Sequence, residues 1–262
     1  MANAFVTIVK LCLTHAHDSL LQGETLKRND LTIYNKIADQ WWSEEIRWVR
    51  ILKNLAQGRL AWFDQALDWR NKEVLDLGCA GGFMAEAIAK RGATVTGIDP
   101  AQKAVESARI HAEKEKLSIK YDVGVGESLP YAAQTFDIVV CVDVLEHVSD
   151  LDKVVSEIAR VLRPGGYLAY DTINRNSLAR FAAVTLAEDF LGILPRGTHD
   201  PDLFIKPSEL HAVMERAGLI VEPIVGLGPI GLDKRLDLTF GRVPFTGIIY
   251  MGLARLKGEQ QF

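Results

Sequence analysis

The sequence predicts an α/β protein: a doubly wound, mostly parallel, seven-stranded sheet with a helical cap at its N-terminal end. Three observations lead there. Short β-branched runs alternate with helical patterns from Glu73 onward, a glycine-rich turn closes the first of those runs, and Trp41, Trp42, Trp48, Trp62 and Trp69 all fall before the alternation begins. The boundary implied is a cap over residues 1–70 and a sheet domain over residues 71–262. At 262 residues the chain has room for one large domain or a domain with an appendage, and no internal repeat divides it further.

In chain order, Met1 to Leu13 reads as an amphipathic helix. It carries Lys10, is too short to span a bilayer, and runs into His15 and His17 with no small-residue cleavage site. The tryptophan-rich stretch supplies helices whose rings pack the cap onto the sheet, with Trp41 and Trp42 the pair placed to wall a pocket. Strands follow at Val74 to Leu77, Thr94 to Ile98, Ile119 to Val123, Asp137 to Cys141 and Tyr167 to Thr172. The crossovers Gly82 to Arg91, Ala101 to Glu115 and Leu151 to Leu162 are helical, which buries a parallel sheet on both faces. After them come a helix over Ser177 to Leu194, a loop from Pro195 to Pro201, a helix from Pro207 to Ala217, and closing strands at Leu219 to Val225 and Thr246 to Ala254.

Composition excludes several classes. Apolar residues make up 48% and charged residues 24%, ordinary for a globular core and unlike a disordered chain. Thirty basic against thirty-four acidic residues leave a net charge of −4, so no overall positive field draws the chain onto nucleic acid. Cys12, Cys79 and Cys141 have neither disulfide-framework nor zinc-finger spacing, which points to a reducing, cytoplasmic setting.

The most informative stretch is Val74-Leu75-Asp76-Leu77-Gly78-Cys79-Ala80-Gly81-Gly82, a buried strand turning through glycines into a helix. A dinucleotide fingerprint requires Gly-x-Gly-x-x-Gly; this spacing does not supply it, so a nicotinamide oxidoreductase is disfavoured. Asp99 follows Gly78 by 21 positions at the end of the second strand, where a carboxylate can accept hydrogen bonds from a ribose diol.

From Glu73 to Thr172 these residues resemble class I S-adenosylmethionine-dependent methyltransferases, whose first motif reads acidic-x-Gly-x-Gly-x-Gly and whose second strand ends in an acid. The resemblance implies a Rossmann-like methyltransferase fold and cofactor contacts from Asp76, Gly78, Gly81 and Asp99. Ala80 stands where the family has its middle glycine, and a methyl group fits there if φ is negative. Gly124 to Pro130 occupies the adenine loop, with Glu127 or backbone amides reading the ring edge; Phe136 to Cys141 and Leu162 to Gly166 also match.

Four further segments narrow the match: Ile37 to Trp42, Leu145 to Val148, Asn174 to Asn176, and Pro195 to Asp200 with Phe204 to Leu210. With them the chain, from about Asp30 to Leu219, resembles the ubiquinone-biosynthesis O-methyltransferases, which act on polyprenylated catechols and phenols. That resemblance adds Arg59 and Val142 as cofactor contacts. It also implies a divalent ion, Mg2+ or Zn2+, on Asp143, Glu146 and His147, since members with a Glu-x-x-Glu-His segment are thought to bind metal there. Without metal, His147 becomes the general base, with Glu146 beside it.

The expected partner is a small aromatic acceptor. Ser177 to Leu194, with Ala182, Leu186, Phe190 and Ile193 on one face and Thr185 and Glu188 opposite, is either core or a peripheral membrane contact suited to a prenylated substrate. Two rivals stand beside this reading. One is a natural-product methyltransferase acting on the oxygen, nitrogen or carbon of an unprenylated aromatic, suggested by an ending from Gly226 to Gly247 unlike the quinone family's; the other is a non-catalytic nucleoside-binding protein, against which Asp143, Glu146 and His147 speak. Oligomeric state leaves no mark in the sequence.

Overall fold

The structure, a computed structural model, describes residue 29, residues 32–190 and residues 196–258. The helix expected over Met1 to Leu13, with Cys12, lies outside the described residues, as does Ile193. Among the described residues the cap comprises α1 (Thr32–Lys36), a 3-10 turn at Ala38–Gln40, and α2 (Arg47–Phe63). Ala56, Leu60 and Phe63 recur at helical spacing and are buried, so α2 presents one apolar stripe to the sheet. The expected boundary near residue 70 falls in the loop after it.

The alternating half follows the predicted order: β1 (Glu73–Leu77), α3 (Phe83–Ala89), β2 (Thr94–Asp99), α4 (Gln102–Lys114), β3 (Ile119–Val123), β4 (Phe136–Cys141), α5 (Leu151–Val161) and β5 (Leu162–Ile173). These strands lie parallel in the order β3-β2-β1-β4-β5. Successive side chains point to opposite faces of the sheet and so enter different cores. Leu75, Leu77 and Val139 pack with Val155 and Ile158 of α5, whereas Val74, Ile138 and Val140 meet Leu60, Ile88 and Val105 from α2, α3 and α4.

The C-terminal third holds α6 (Ser177–Arg180), a π-helical continuation over Phe181–Phe190, a 3-10 turn at Pro201–Leu203, α7 (Pro207–Arg216), β6 (Leu219–Val221), β7 (Val225–Leu232), β8 (Leu238–Val243) and β9 (Ile249–Leu256). β9 runs antiparallel to β5, and its far edge takes β6 and then β7 in succession. Two expectations change here. Among the described residues the sheet has nine strands, not seven, because the sixth is interrupted between Val221 and Val225 and a further strand, β8, closes a hairpin with β7. Glu188, expected on the polar face of an ordinary helix, is buried while Leu186 is exposed; the wider π turn shifts which positions face inward.

No helix of the described residues is long and apolar enough to cross a membrane. Strand order reverses beside β1, with β2 on one flank and β4 on the other, and that reversal opens a crevice at the carboxyl ends of the strands.

Candidate active site

That crevice is a cleft of about 520 Å³, within the usual size range of small-molecule sites. Its floor is the turn after β1. Gly78 has φ of 78°, and a Cβ there would lie 2.1 Å from Val144. A Cβ at Gly81 would lie 2.5 Å from the Trp41 ring, so the turn runs between its neighbours with no space for side chains. Ala80 departs from the expected negative φ: it stands at 41°, with its amide turned toward β2 and donating to Asp99 Oδ2 at 3.0 Å.

Asp99 lies at the wall of the cleft and is buried. Its other oxygen accepts the Ala101 amide at 2.7 Å. Burial raises its pKa, partly offset by those two amides. A carboxylate has about four acceptor positions, so two remain for a ligand. Asp76, also lining the cleft, is fully buried; its Oδ2 has no partner, and burial pushes its pKa up to about 7 against the lowering effect of the Ala85 amide. Glu127 borders the far end, where Oε1 accepts from the Ser149 amide (3.2 Å) and hydroxyl (2.9 Å). Val142 completes the wall after β4.

Arg59 reaches the cleft from α2. Its guanidinium pairs with Asp143 and Asp171, both at 2.5 Å. Burial works against the charge, but the two carboxylates more than offset it and hold the arginine's pKa above its ordinary value. Asp171 is not among the residues the sequence reading singles out. A lone carboxylate inside an otherwise apolar strand is itself a signal, because such a group must find a partner.

Trp41 lines the cleft and stacks on Tyr34 of α1, which lines it too. Burial raises the Tyr34 phenol's pKa, and the nearby Asp143, Asp99 and Glu146 raise it further. Trp42 instead lies flat on His111 and donates to the Gly81 carbonyl at 2.9 Å, pinning the cap to the turn from outside the cleft.

The three residues expected to act on the acceptor separate in space. Asp143 faces Arg59, whereas Glu146 and His147, in a 3-10 turn over Leu145–His147, come together with His199 from the Pro201 side of the molecule. One ligand atom from each of Glu146, His147 and His199 lies within 4.8 Å of the other two, and all three residues are buried. Glu146 Oε2 accepts from Thr172 Oγ1 at 2.8 Å, and Oε1 has no partner. Burial, with Asp143 and Asp171 nearby, raises the Glu146 pKa. His147 bonds through Nδ1 to Asn29 Oδ1 at 2.7 Å, its Nε2 has no partner, and burial with the neighbouring His199 lowers its pKa to about 3. Glu188 accepts from His199 Nδ1 (2.7 Å) and from the backbone amides of His199 (3.0 Å) and Gly197 (2.9 Å). His199 is a residue that sequence reading does not single out; its signals are its place in the Pro195 to Asp200 segment that resembles the quinone family and a loop rich in glycine and proline.

Comparison with known proteins bears on what occupies the cleft. A family model described as a methyltransferase domain matches residues 75–170. The ubiquinone biosynthesis O-methyltransferase of Coxiella burnetii is 36% identical over 219 residues, 84% of this chain and 93% of that protein. Its namesake in Pseudomonas syringae pv. tomato is 40% identical over 212 residues, 80% of this chain and 91% of that protein. A solved SAM-dependent methyltransferase of Thermotoga maritima has a TM-score of 0.60 at 19% identity, covering 86% of this chain and 99% of that one, a likeness of fold.

Proposed function

The chain belongs to the ubiquinone biosynthesis O-methyltransferase family, and from that premise we propose that it methylates a phenolic or catechol hydroxyl of a prenylated quinone precursor. It is an S-adenosylmethionine-dependent methyltransferase. When bound, that cofactor supplies an electrophilic methyl carbon on a sulfonium.

The observation that supports the reading best is Asp99, fixed by the Ala80 and Ala101 amides at the cleft wall beside a turn too tight for side chains. A carboxylate so held is preorganised for a ribose diol, and Gly78 and Gly81 let a ligand approach the backbone. Arg59 takes the methionine carboxylate, Glu127 the adenine end, and Val142 the ring face, with Asp76 steadying the turn from below. Trp41 and Tyr34 close the cap over the sulfonium side and exclude water. The acceptor hydroxyl enters near His147, which orients it, while Glu146, with its raised pKa, is the better base for its proton than His147, whose pKa burial lowers. A divalent ion at these residues would lower the phenol's pKa, and their unpartnered Oε1 and Nε2 fit such an ion.

Leu178, Phe181 and Leu186 are exposed along α6 and its continuation. Asn176 ties this segment to the Gly247 carbonyl at 2.8 Å, beside exposed Phe245. This apolar group supports a peripheral membrane contact by a cytoplasmic enzyme whose acceptor has a lipid tail. The unusual ending does not favour the unprenylated rival, because none of residues 226–247 lines the cleft.

Asp99→Ala tests the assignment. Losing two charge-assisted hydrogen bonds, at ~1.5–3 kcal/mol each, weakens S-adenosylhomocysteine by more than tenfold in calorimetric titration. Unchanged affinity would remove Asp99 from the site. Methyl transfer to catechols with and without prenyl chains, each with and without chelator, then reads the acceptor class.

A further inference from the structure

Tyr34 of α1 lines the cleft and is half-buried. Its ring lies on that of Trp41, with centroids 6.0 Å apart and planes 17° from parallel. Trp41 in turn meets Trp48 at 5.8 Å and Phe83 at 5.6 Å in T-shaped contacts and is buried. Two hydrogen bonds fasten this part of the cap to the sheet domain: Asn35 Oδ1 accepts the Lys103 amide at 2.9 Å, and Trp42 Nε1 donates to the Gly81 carbonyl at 2.9 Å. The Tyr34 ring is therefore held in place before any ligand arrives, which removes an ordering cost on binding.

We propose that the Tyr34 ring, backed by Trp41, recognises the positive charge of the sulfonium and sets the preference for S-adenosylmethionine over its demethylated product, S-adenosylhomocysteine. The proposal deepens the cofactor placement given above and rests on it.

The two cofactor forms share every group that Asp99, Arg59 and the glycine turn would hold. They differ by one methyl group and one positive charge, so selection between them has to act at sulfur. Along the cofactor's own covalent chain that sulfur lies between the ribose, on Asp99, and the amino-acid carboxylate, on Arg59. Tyr34 stands over that interval: after burial, the strongest influences on its phenol are the charges of Asp143, the partner of Arg59, and of Asp99. Burial and those charges all raise its pKa, so the ring meets the cation as a neutral face. Asp143 is tied to Arg59, and Asp99 to two backbone amides and the diol, which leaves neither to pair with the sulfonium. Leu52, Ala56, Val142 and Val144 make apolar wall in the same cleft. A cation that enters such a place loses hydration, and the electron-rich face of an aromatic ring restores part of the attraction. Phe83 also lines the cleft, but both Trp41 and Trp42 are packed on it in T-shaped contact.

Calorimetric titration of the full chain without acceptor measures affinity for three probes: S-adenosylmethionine, S-adenosylhomocysteine, and sinefungin, which carries an ammonium in place of the sulfonium. The wild-type chain binds the two cations more tightly than the neutral thioether. Tyr34→Leu loses about 5- to 30-fold of the affinity for each cation and little of that for S-adenosylhomocysteine, while Tyr34→Phe keeps the wild-type order. A second series needs no variant that empties the cap. Phenylalanine carrying one, two and then three fluorines at position 34 keeps the shape of the ring while draining its face of electron density, so the preference for the cations falls stepwise; a ring that only packs would leave it level. Equal losses for all three probes in Tyr34→Leu, a level fluorine series, or no preference in the wild-type chain overturns the proposal. Those results leave the cofactor cleft itself standing, whereas failure of the wild-type chain to bind any of the three overturns both.

Discussion

At the scale of single residues, the cofactor turn compromises at Ala80. Its φ of 41° belongs to the left-handed region, which costs an L-residue roughly 1–2 kcal/mol, and the hydrogen bond from its amide to Asp99 Oδ2 holds it there. Glycine would adopt the same angle freely but surrenders more backbone entropy on folding. The net gain for Ala80→Gly is therefore about 0.5–1 kcal/mol, or a melting temperature higher by ~1–4 °C in a chain of this size. Thermal unfolding followed by circular dichroism decides it, and a lower melting temperature would mean the turn carries no such strain. Sequence alone locates this residue and identifies it as the family's middle-glycine position. It does not supply the angle, which is set by a contact with a side chain on the next strand.

At the scale of elements, legibility follows burial. The central strands β1, β2, β4 and β5 are readable because burial on both faces makes them largely apolar, the edge strand β3 because Ile119, Tyr121 and Val123 alternate with Lys120 and Asp122, and their crossovers keep a clean helical period. The β7–β8 hairpin is not, since Gly226, Gly228, Pro229 and Gly231 imitate a loop. The Phe181–Phe190 stretch misleads because its turn is wider than the 3.6-residue period, which places Glu188 outward and hides its partner His199. The hairpin also braces the cap, since β8 lies against α2 and a Cβ at Gly58 would come 2.5 Å from the Phe240 carbonyl oxygen. That obstacle is backbone, so no side-chain rotation relieves it. Gly58→Val should destabilise the protein by about 1–3 kcal/mol, while Gln57→Ala on the exposed face of the same helix stays within about 0.5 kcal/mol. Denaturant titrations of both compare the two costs, and equal values would mean that α2 and β8 do not meet as closely as described.

At the scale of the whole molecule, the carboxyl ends of the strands gather carboxylates, in the cleft and behind its wall, that the fold does not fully neutralise. Asp76, Asp99, Glu146 and Asp171 are all buried near the carboxyl ends of the strands, and burial raises the pKa of each. Asp171 is paired directly with Arg59, but Asp76 has the Ala85 amide, a weaker attraction to Arg59 and one unpartnered oxygen. The linkage has a definite sign. A folded-state pKa of about 7 against an unfolded value of 3.8 means that between those pH values the folded chain binds more protons, so stability present below pH 4 is lost as pH rises toward 7. At ~1.4 kcal/mol per unit, Asp76 alone accounts for a loss of a few kcal/mol across that window. Such a cost is tolerable where the group serves ligand binding, since sites are built from residues the fold would not choose for stability. Asp76→Asn removes the titration while keeping the shape. Stability measured by denaturant from pH 4 to pH 8 should therefore fall less steeply in the variant, with the largest advantage at pH 8 and the smallest at pH 4. Parallel curves would mean that Asp76 is already ionised in the folded protein throughout, held by something other than the Ala85 amide.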